Sequence, residues 1–197
     1  MSKAGLHSEY RIPHFAIDLL LGLAFFVLYL FTLVPSLLPA DNGEFQLVAW
    51  KLGIAHPPGY PLYTIAGWLL SRLFVSPAFA LNLLSAILAA ITLVIVSRTV
   101  RTLTGSIVAG LLAAALLGVS TTFWAQATTA NIRMPTAFFT AWCVSLLVSW
   151  SHSRVAGDEG ASPRRPSVSP SHFRHLKIDR LNLFALAFAL GLSHHLS

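Results

Sequence analysis

The chain has 197 residues, 55% of them hydrophobic and 10% charged, with a mean hydropathy of +0.70, a balance that excludes an ordinary soluble domain and marks a membrane protein. Lys and Arg total 13 against 7 for Asp and Glu, a net charge of +6, and the location of those charges separates nucleic-acid binding from lipid contact and topology signals. The one cysteine, Cys143, excludes a disulfide framework and a cysteine-based zinc site.

From Phe15 to Leu38 the single charge is Asp18. A helix of roughly 20 such residues covers a hydrocarbon core of about 30 Å, so this run is predicted as the first span. It is too long for a cleaved signal segment, and more apolar runs follow it. Asp41-Asn42-Gly43-Glu44 comes next, ahead of an apolar stretch that contains Phe45, Leu47, Val48 and Trp50 and is predicted as an interfacial helix over 44–52. Two readings of this motif stand. Asp at an N-cap with Glu three residues later resembles a capping box, and Asn-Gly suits a turn between segments. Alternatively, two carboxylates at i and i+3 on the membrane surface could take a proton from a hydroxyl or hold a divalent cation. In that case Asp41 is favoured as the base, because a residue at the very start of a helix can point out of it.

The run His56-Pro57-Pro58-Gly59-Tyr60-Pro61 has φ restricted at three prolines and one permissive glycine, so it makes a stiff, shaped loop. His56 could bind an anionic phosphate or donate a proton, although a lone loop histidine is more often incidental. Tyr60 could stack on a sugar ring or anchor the loop at headgroup depth.

Residues 61–74 are apolar but short, begin with Pro61 and carry Arg72. If they lie at the interface, Lys3, Arg11, Arg98, Arg101, Arg154, Arg164, Arg165, Arg174, Lys177 and Arg180 share one side and Lys51, Arg72 and Arg133 the other, a 10 to 3 split. A crossing there would leave 8 to 5. Positive residues collect on the cytoplasmic side, so the segment is predicted as an interfacial or re-entrant helix, with the N-terminus cytoplasmic. The basic charge is then topological, and nucleic acid is not a partner.

Further spans are predicted over 79–96, 106–123 and 134–150. In the second of these, Gly110, Ala114 and Gly118 recur every fourth residue and permit close helix packing. Trp124-Ala125-Gln126 leads to Asn131, with Arg133 at the start of the next span, where it could meet a lipid phosphate or snorkel. Residues 151–180 are rich in Ser, Pro, Arg and His and are predicted as a disordered cytoplasmic loop. A fifth apolar run, 181–197, is short for a crossing and contains His194 and His195. Ionisable side chains are costly in an apolar helix and usually turn toward protein or a wet cavity. With this topology the Asp41, His56, Trp124 and His194 motifs fall on one side of the bilayer.

The run from Asp41 to Tyr63, Asp-Asn-Gly-Glu-Phe-Gln-Leu-Val-Ala-Trp-Lys-Leu-Gly-Ile-Ala-His-Pro-Pro-Gly-Tyr-Pro-Leu-Tyr, resembles the N-terminal signature of a polytopic bacterial membrane family related to the eukaryotic transmembrane protein O-mannosyltransferases. Trp124-Ala125-Gln126-Ala127 and Gly191-Leu192-Ser193-His194-His195 resemble its second and third signatures. The resemblance covers nearly the whole chain apart from 151–180. It implies an all-α polytopic transmembrane bundle with a GT-C-like N-terminal core over 1–150, interfacial helices in the first outer loop, and residence in the plasma (inner) membrane. It also implies a polyprenyl-phosphate sugar donor and an extracytoplasmic protein or glycan acceptor.

Carried onto this chain, the resemblance makes Asp41 the candidate catalytic base, Glu44 its partner or a metal contact, and His56 a donor-phosphate contact. His194 or His195 would line the same cavity; with the readings of the residues themselves, the candidate substrate-binding residues are His56, Tyr60, Gln126, Arg133, His194 and His195. No cofactor is required, and a divalent cation is compatible with Asp41 and Glu44. There are two departures from the family pattern. Asn131 and Arg133 stand where the family shows an acid followed by an aromatic, and the chain is short enough to be a fragment, inactive by itself. The competing expectation is a transporter or polyprenyl-phosphate-binding protein without turnover.

Overall fold

Pro35 and Pro39 cannot continue a helix, because each lacks an N–H and restricts the residue before it. The first apolar run accordingly forms α1 over His14–Phe31 and stops well short of Leu38, its end tightened by the Thr32 N–H donating to the Tyr29 carbonyl at 3.1 Å. The computed structural model describes residues 14–57, 59–74, 76–159 and 179–195, without the side chains of 154–159 and of 194 and 195.

Two short helices follow, α2 (Asp41–Lys51) and α3 (Pro61–Ser71). At 11 residues each they are about 16 Å long, half of a hydrocarbon core. The central element is α4 (Pro77–Thr104), started by Pro77 and by Ser76 Oγ accepting from the Phe79 N–H, and stopped by Gly105 at φ 69°. Next come α5 (Ile107–Gly118), α6 (Thr121–Ala127), α7 (Arg133–Glu159) and α8 (Arg180–His195). Every described element is a helix. Three of them are long and apolar enough to cross a membrane, or four if α5 and α6 count as one bent span, so this is a multi-pass membrane protein.

Ion pairs to one buried carboxylate set the relative direction of α1 and α4. Asp18, 2% exposed on α1, accepts from Arg98 Nε at 2.7 Å and from Arg101 Nη1 and Nη2 at 3.1 and 3.0 Å. A carboxylate in an apolar span is tolerated when it is paired in this way. The start of α1 and the end of α4 therefore lie at one end of the molecule. The chain between them, α2 and α3 included, enters and leaves at the opposite end, called here the loop end.

Sequence expectations differ from this fold in two further places. The predicted third span is not straight: α5 has 12 residues, and it meets α6 at a 72° bend. Ser120 ends the first piece by donating to the Leu117 carbonyl at 2.8 Å, and an N–H···O bond from Trp124 to the Ser120 carbonyl starts the second. The loop predicted from Ser151 instead begins as helix, since α7 continues to Glu159. No proline or glycine lies between Thr136 and Ala156, and a solvated extension needs no apolar face once a long helix is already nucleated. Residues 160–178 of that predicted loop lie outside the described residues.

The Gly110, Ala114 and Gly118 face is buried against the central helix. A Cβ on Gly110 would fall 2.5 Å from the Ser97 carbonyl oxygen, and one on Gly118 would fall 2.4 Å from Phe25. With Gly118 bare, the Tyr29 hydroxyl donates to its carbonyl at 2.8 Å. Phe25, Tyr29, Leu93, Ala114, Phe123 and Met134 make the main core, while α2 and α3 close over it at the loop end with Phe45, Tyr60, Tyr63 and Leu81.

Candidate active site

Helix α2 begins under a close contact. A Cβ on Gly43 would lie 2.2 Å from the Leu38 carbonyl oxygen, so glycine lets the first turn of α2 pack against the segment that leaves α1. The capping box expected here does not form. Ala40 occupies the N-cap position at φ 59° with no side-chain cap, and Asp41 is the first helical residue. Glu44, instead of reaching back to the N-cap N–H, reaches forward 12 residues. Its Oε1 accepts from the His56 backbone N–H at 2.7 Å, and its Oε2 faces His56 Nδ1 at 2.8 Å. An amide and an imidazole N–H in the next loop compete successfully because both are exposed donors aimed at one carboxylate, a charge-assisted pair of bonds.

His56 is held on its other sides by rings. Phe45 lies 5.5 Å away and Tyr60 5.7 Å, centroid to centroid. Tyr60 is itself edge-on to Phe45 at 5.4 Å and only 5% exposed. Its ring therefore packs within the loop, against Phe45 and His56. Gly59 at φ 94° supplies the turn, closed by its N–H donating to the His56 carbonyl at 2.9 Å.

Asp41, Glu44 and His56 bring one ligand-type atom each within 4.8 Å of one another. Two oxygens and one imidazole nitrogen form a mixed set that a divalent cation accepts, with positions left for substrate or water. Asp41 is exposed and makes no hydrogen bond or ion pair within the described residues, whereas Glu44 is committed to His56. The two hydrogen bonds from His56 hold the Glu44 carboxyl below its ordinary range. A carboxylate whose pKa is lowered by folding stabilises the loop above its unfolded value and loses that contribution as pH falls through the folded one. The His56 amide proton, followed by NMR against pH, is expected to move upfield as Glu44 protonates, below the normal carboxylate range. In Glu44→Gln that movement is expected to vanish.

A buried polar bridge ties this cluster to the second loop. Asn82 on α4 is fully buried. Its Oδ1 accepts from Gln46 Nε2 at 3.0 Å and from the Ala130 N–H at 2.7 Å, while its Nδ2 donates to the Val34 carbonyl at 2.6 Å. Gln46 Oε1 in turn accepts from the Leu38 N–H at 3.3 Å. Sequence reasoning passed over Gln46 and Asn82, although an asparagine inside an apolar span was the available signal.

Asn131 proves to be a helix cap. Its Oδ1 accepts from the N–H groups of Arg133 and Met134, both at 3.0 Å, and its Nδ2 donates to the carbonyls of Gln126 and Thr129 at 2.7 and 2.6 Å. It is 7% exposed and turned into its own loop. Gln126, near the end of α6, and Arg133, the first residue of α7, are half-buried and exposed respectively, without a described contact to the Asp41 cluster. The backbone of α8 carries His194 and His195, but their side chains lie outside the described residues. Leu190 on that helix lines an apolar cavity of about 240 Å³ with Leu62 and Tyr63 of α3, Leu88 of α4, and Phe139 and Trp142 of α7, so α8 rises to the level of α3.

The chain matches the model of the protein O-mannosyl-transferase TMEM260 N-terminal domain over residues 41–197. A mouse protein O-mannosyl-transferase TMEM260 is 35% identical over 127 residues, 64% of this chain and 18% of that protein. A Dictyostelium discoideum protein of the same description is 26% identical over 174 residues, 86% of this chain and 20% of the relative. The chain thus spans about a fifth of the length of these curated relatives. No solved structure matches it.

Proposed function

We propose, for a chain that belongs to the family of the protein O-mannosyl-transferase TMEM260 N-terminal domain, that it forms the catalytic N-terminal part of a GT-C-type membrane glycosyltransferase. The sugar comes from a polyprenyl-phosphate donor and goes to an acceptor on the extracytoplasmic side, with a protein hydroxyl the favoured acceptor because both relatives are described as protein O-mannosyl-transferases. Asp41 is the general base. It takes the proton of the acceptor hydroxyl, whose oxygen attacks the anomeric carbon, and the lipid phosphate leaves already ionised, so no acid is needed for the leaving group.

The observation that carries this reading is the division of labour in the cluster: Glu44 is occupied by His56, and Asp41 is an exposed carboxylate with no hydrogen-bond or ion-pair partner among the described residues. The apolar cavity between α3, α4, α7 and α8 supports a lipid-linked donor, since it offers a polyprenyl chain a place at the level of the interfacial helix. Sidedness follows the positive-inside count, which puts the loop end outside the cytoplasm of the plasma membrane.

The test is incubation of detergent-purified protein with a radiolabelled polyprenyl-phosphate sugar and a Ser/Thr-containing peptide. Labelled peptide together with free polyprenyl phosphate is the expected result. Donor retained intact on the protein would replace transfer with binding or transport. A second use of Asp41, Glu44 and His56 is to hold a divalent cation, favoured by their mutual spacing. Transfer that persists in a strong chelator removes that use.

A further inference from the structure

We infer that the groove between α1 and α4, at the end of the molecule opposite Asp41, holds one acyl chain of an anionic phospholipid whose phosphate sits on the free nitrogens of Arg98. This site is separate from the donor site proposed above, and neither depends on the other.

The charge around Asp18 does not balance. Two guanidinium groups face one carboxylate, which leaves one surplus positive charge at the border of an apolar span. Arg101 gives both of its terminal nitrogens to Asp18, at 3.1 and 3.0 Å, and its side chain is largely covered. Arg98 gives Nε, at 2.7 Å, and its side chain is 46% exposed. Among the described residues nothing accepts from its Nη1 and Nη2. A guanidinium pinned through Nε does not swing away to water as a snorkelling arginine does. Its two terminal nitrogens are instead held in place as the planar fork that a phosphate accepts with two oxygens.

An apolar groove begins beside that fork. It encloses about 370 Å³ between Phe15, Leu19 and Leu23 of α1 and Ile87, Ile91 and Val94 of α4, with Asp18 and Arg98 on its rim. Phe15, Leu19, Leu23 and Ile91 are exposed, so the groove opens sideways, toward lipid in a bilayer. From Arg98 to Ile87 the helix rises about 16 Å, against about 15 Å for one leaflet's half of the hydrocarbon core. Arg98 lies about 9 Å inside the Thr104 end of α4. Cationic fork and apolar groove therefore follow each other in the order and over the length of a phospholipid's phosphate and acyl chain. Charge complementarity selects the anionic class, because a zwitterionic headgroup brings its own cation beside the phosphate, whereas an anionic one supplies the charge that Asp18 leaves unmatched.

The experiment is native mass spectrometry of the detergent-purified chain with dioleoyl phosphatidylglycerol, dioleoyl phosphatidylcholine or inorganic phosphate at equal concentration. One phosphatidylglycerol per chain is expected, preferred about tenfold over phosphatidylcholine with the same chains, the worth of one charge-assisted fork. Inorganic phosphate alone is expected not to be retained. Arg98→Gln leaves both Arg101 bonds on Asp18 and is expected to bring phosphatidylglycerol down to the level of phosphatidylcholine. Ile91→Trp fills the groove without touching the ionic group and is expected to lower retention of both lipids. Equal retention of the two lipids by the wild-type protein would overturn the inference, as would a preference that survives Arg98→Gln. Inorganic phosphate held as well as phosphatidylglycerol would make Arg98 a plain anion site and overturn it too, and a lipid-free particle of two chains would give the face to a second copy. Should Arg98→Gln fail to fold, Ile91→Trp decides, and retention unchanged by that substitution sinks the assignment.

Discussion

Asp41→Asn lowers the rate of sugar transfer by about 10² to 10⁴-fold, the range for loss of a well-placed general base, and leaves the thermal unfolding midpoint where it was. Stability is unaffected because the Asp41 carboxylate is exposed and holds nothing in place: the helix it opens is not capped by it, and no described residue bonds to it. The amide keeps the size and the acceptor oxygen while removing the basicity, so lost activity with an intact fold isolates proton removal. Initial rates with labelled donor and peptide, beside a melting curve of each protein in detergent, make the measurement. Equal rates for Asp41→Asn and wild type would leave the acceptor hydroxyl without a base in this cluster and remove the central assignment. Glu44→Gln is expected to show a smaller loss, and the contrast between the two acids checks which of them carries the chemistry.

Asn82→Ala destabilises the protein by about 2–5 kcal/mol, from two buried partners and one part-buried partner left unsatisfied at roughly 1–3 kcal/mol each with some relaxation. Gln46 Nε2, the Ala130 N–H and the Val34 carbonyl all meet on that one side chain, which is 0% exposed. In a protein of ordinary stability this is a large fraction of the total. The bridge also joins α2 to the loop before α7, so transfer should fall together with stability, unlike the case of Asp41→Asn. Thermal unfolding in detergent, followed by the near-ultraviolet signal of the packed aromatics, reads the effect. A midpoint within a degree or two of wild type would mean that the bridge holds neither loop. Asn82→Asp does not restore it, since it returns the acceptor but turns the Nδ2 donor to Val34 into an oxygen facing an oxygen.

The motif from Asp41 to Glu44 shows how far residue spacing reaches. Its acids were legible as candidates, and so was the proximity of His56, because a rigid proline loop only 12 residues on cannot go far. The capping box was the reading that local sequence favours, and it failed because Glu44 found two N–H donors beyond the helix. The same limit applies to Asn131. Its place in a motif suggested a lost catalytic acid, while its contacts make it the cap of α7, a task that an aspartate or an asparagine performs through the same oxygen. Tyr60, a surface aromatic by its position in the proline-rich loop, is turned inward by Phe45 and His56.

Apolar run length and charge distribution by themselves determined that this is a multi-pass helical membrane protein, and they predict an interfacial segment over 61–74. Partition into a bilayer depends on the summed transfer free energy of contiguous residues, which is a local property. Only the tertiary structure decided that Asp18 pairs with Arg98 and Arg101, some 80 residues away, that Asn82 bridges two loops, and that the third apolar run bends at Ser120. It also decided that Glu44 serves His56 and leaves Asp41 open. Hydrogen bonds and ion pairs act over about 3 Å, so their partners are chosen by which elements the packing of α1, α4 and α5 brings within reach, and chain order carries no record of that distance.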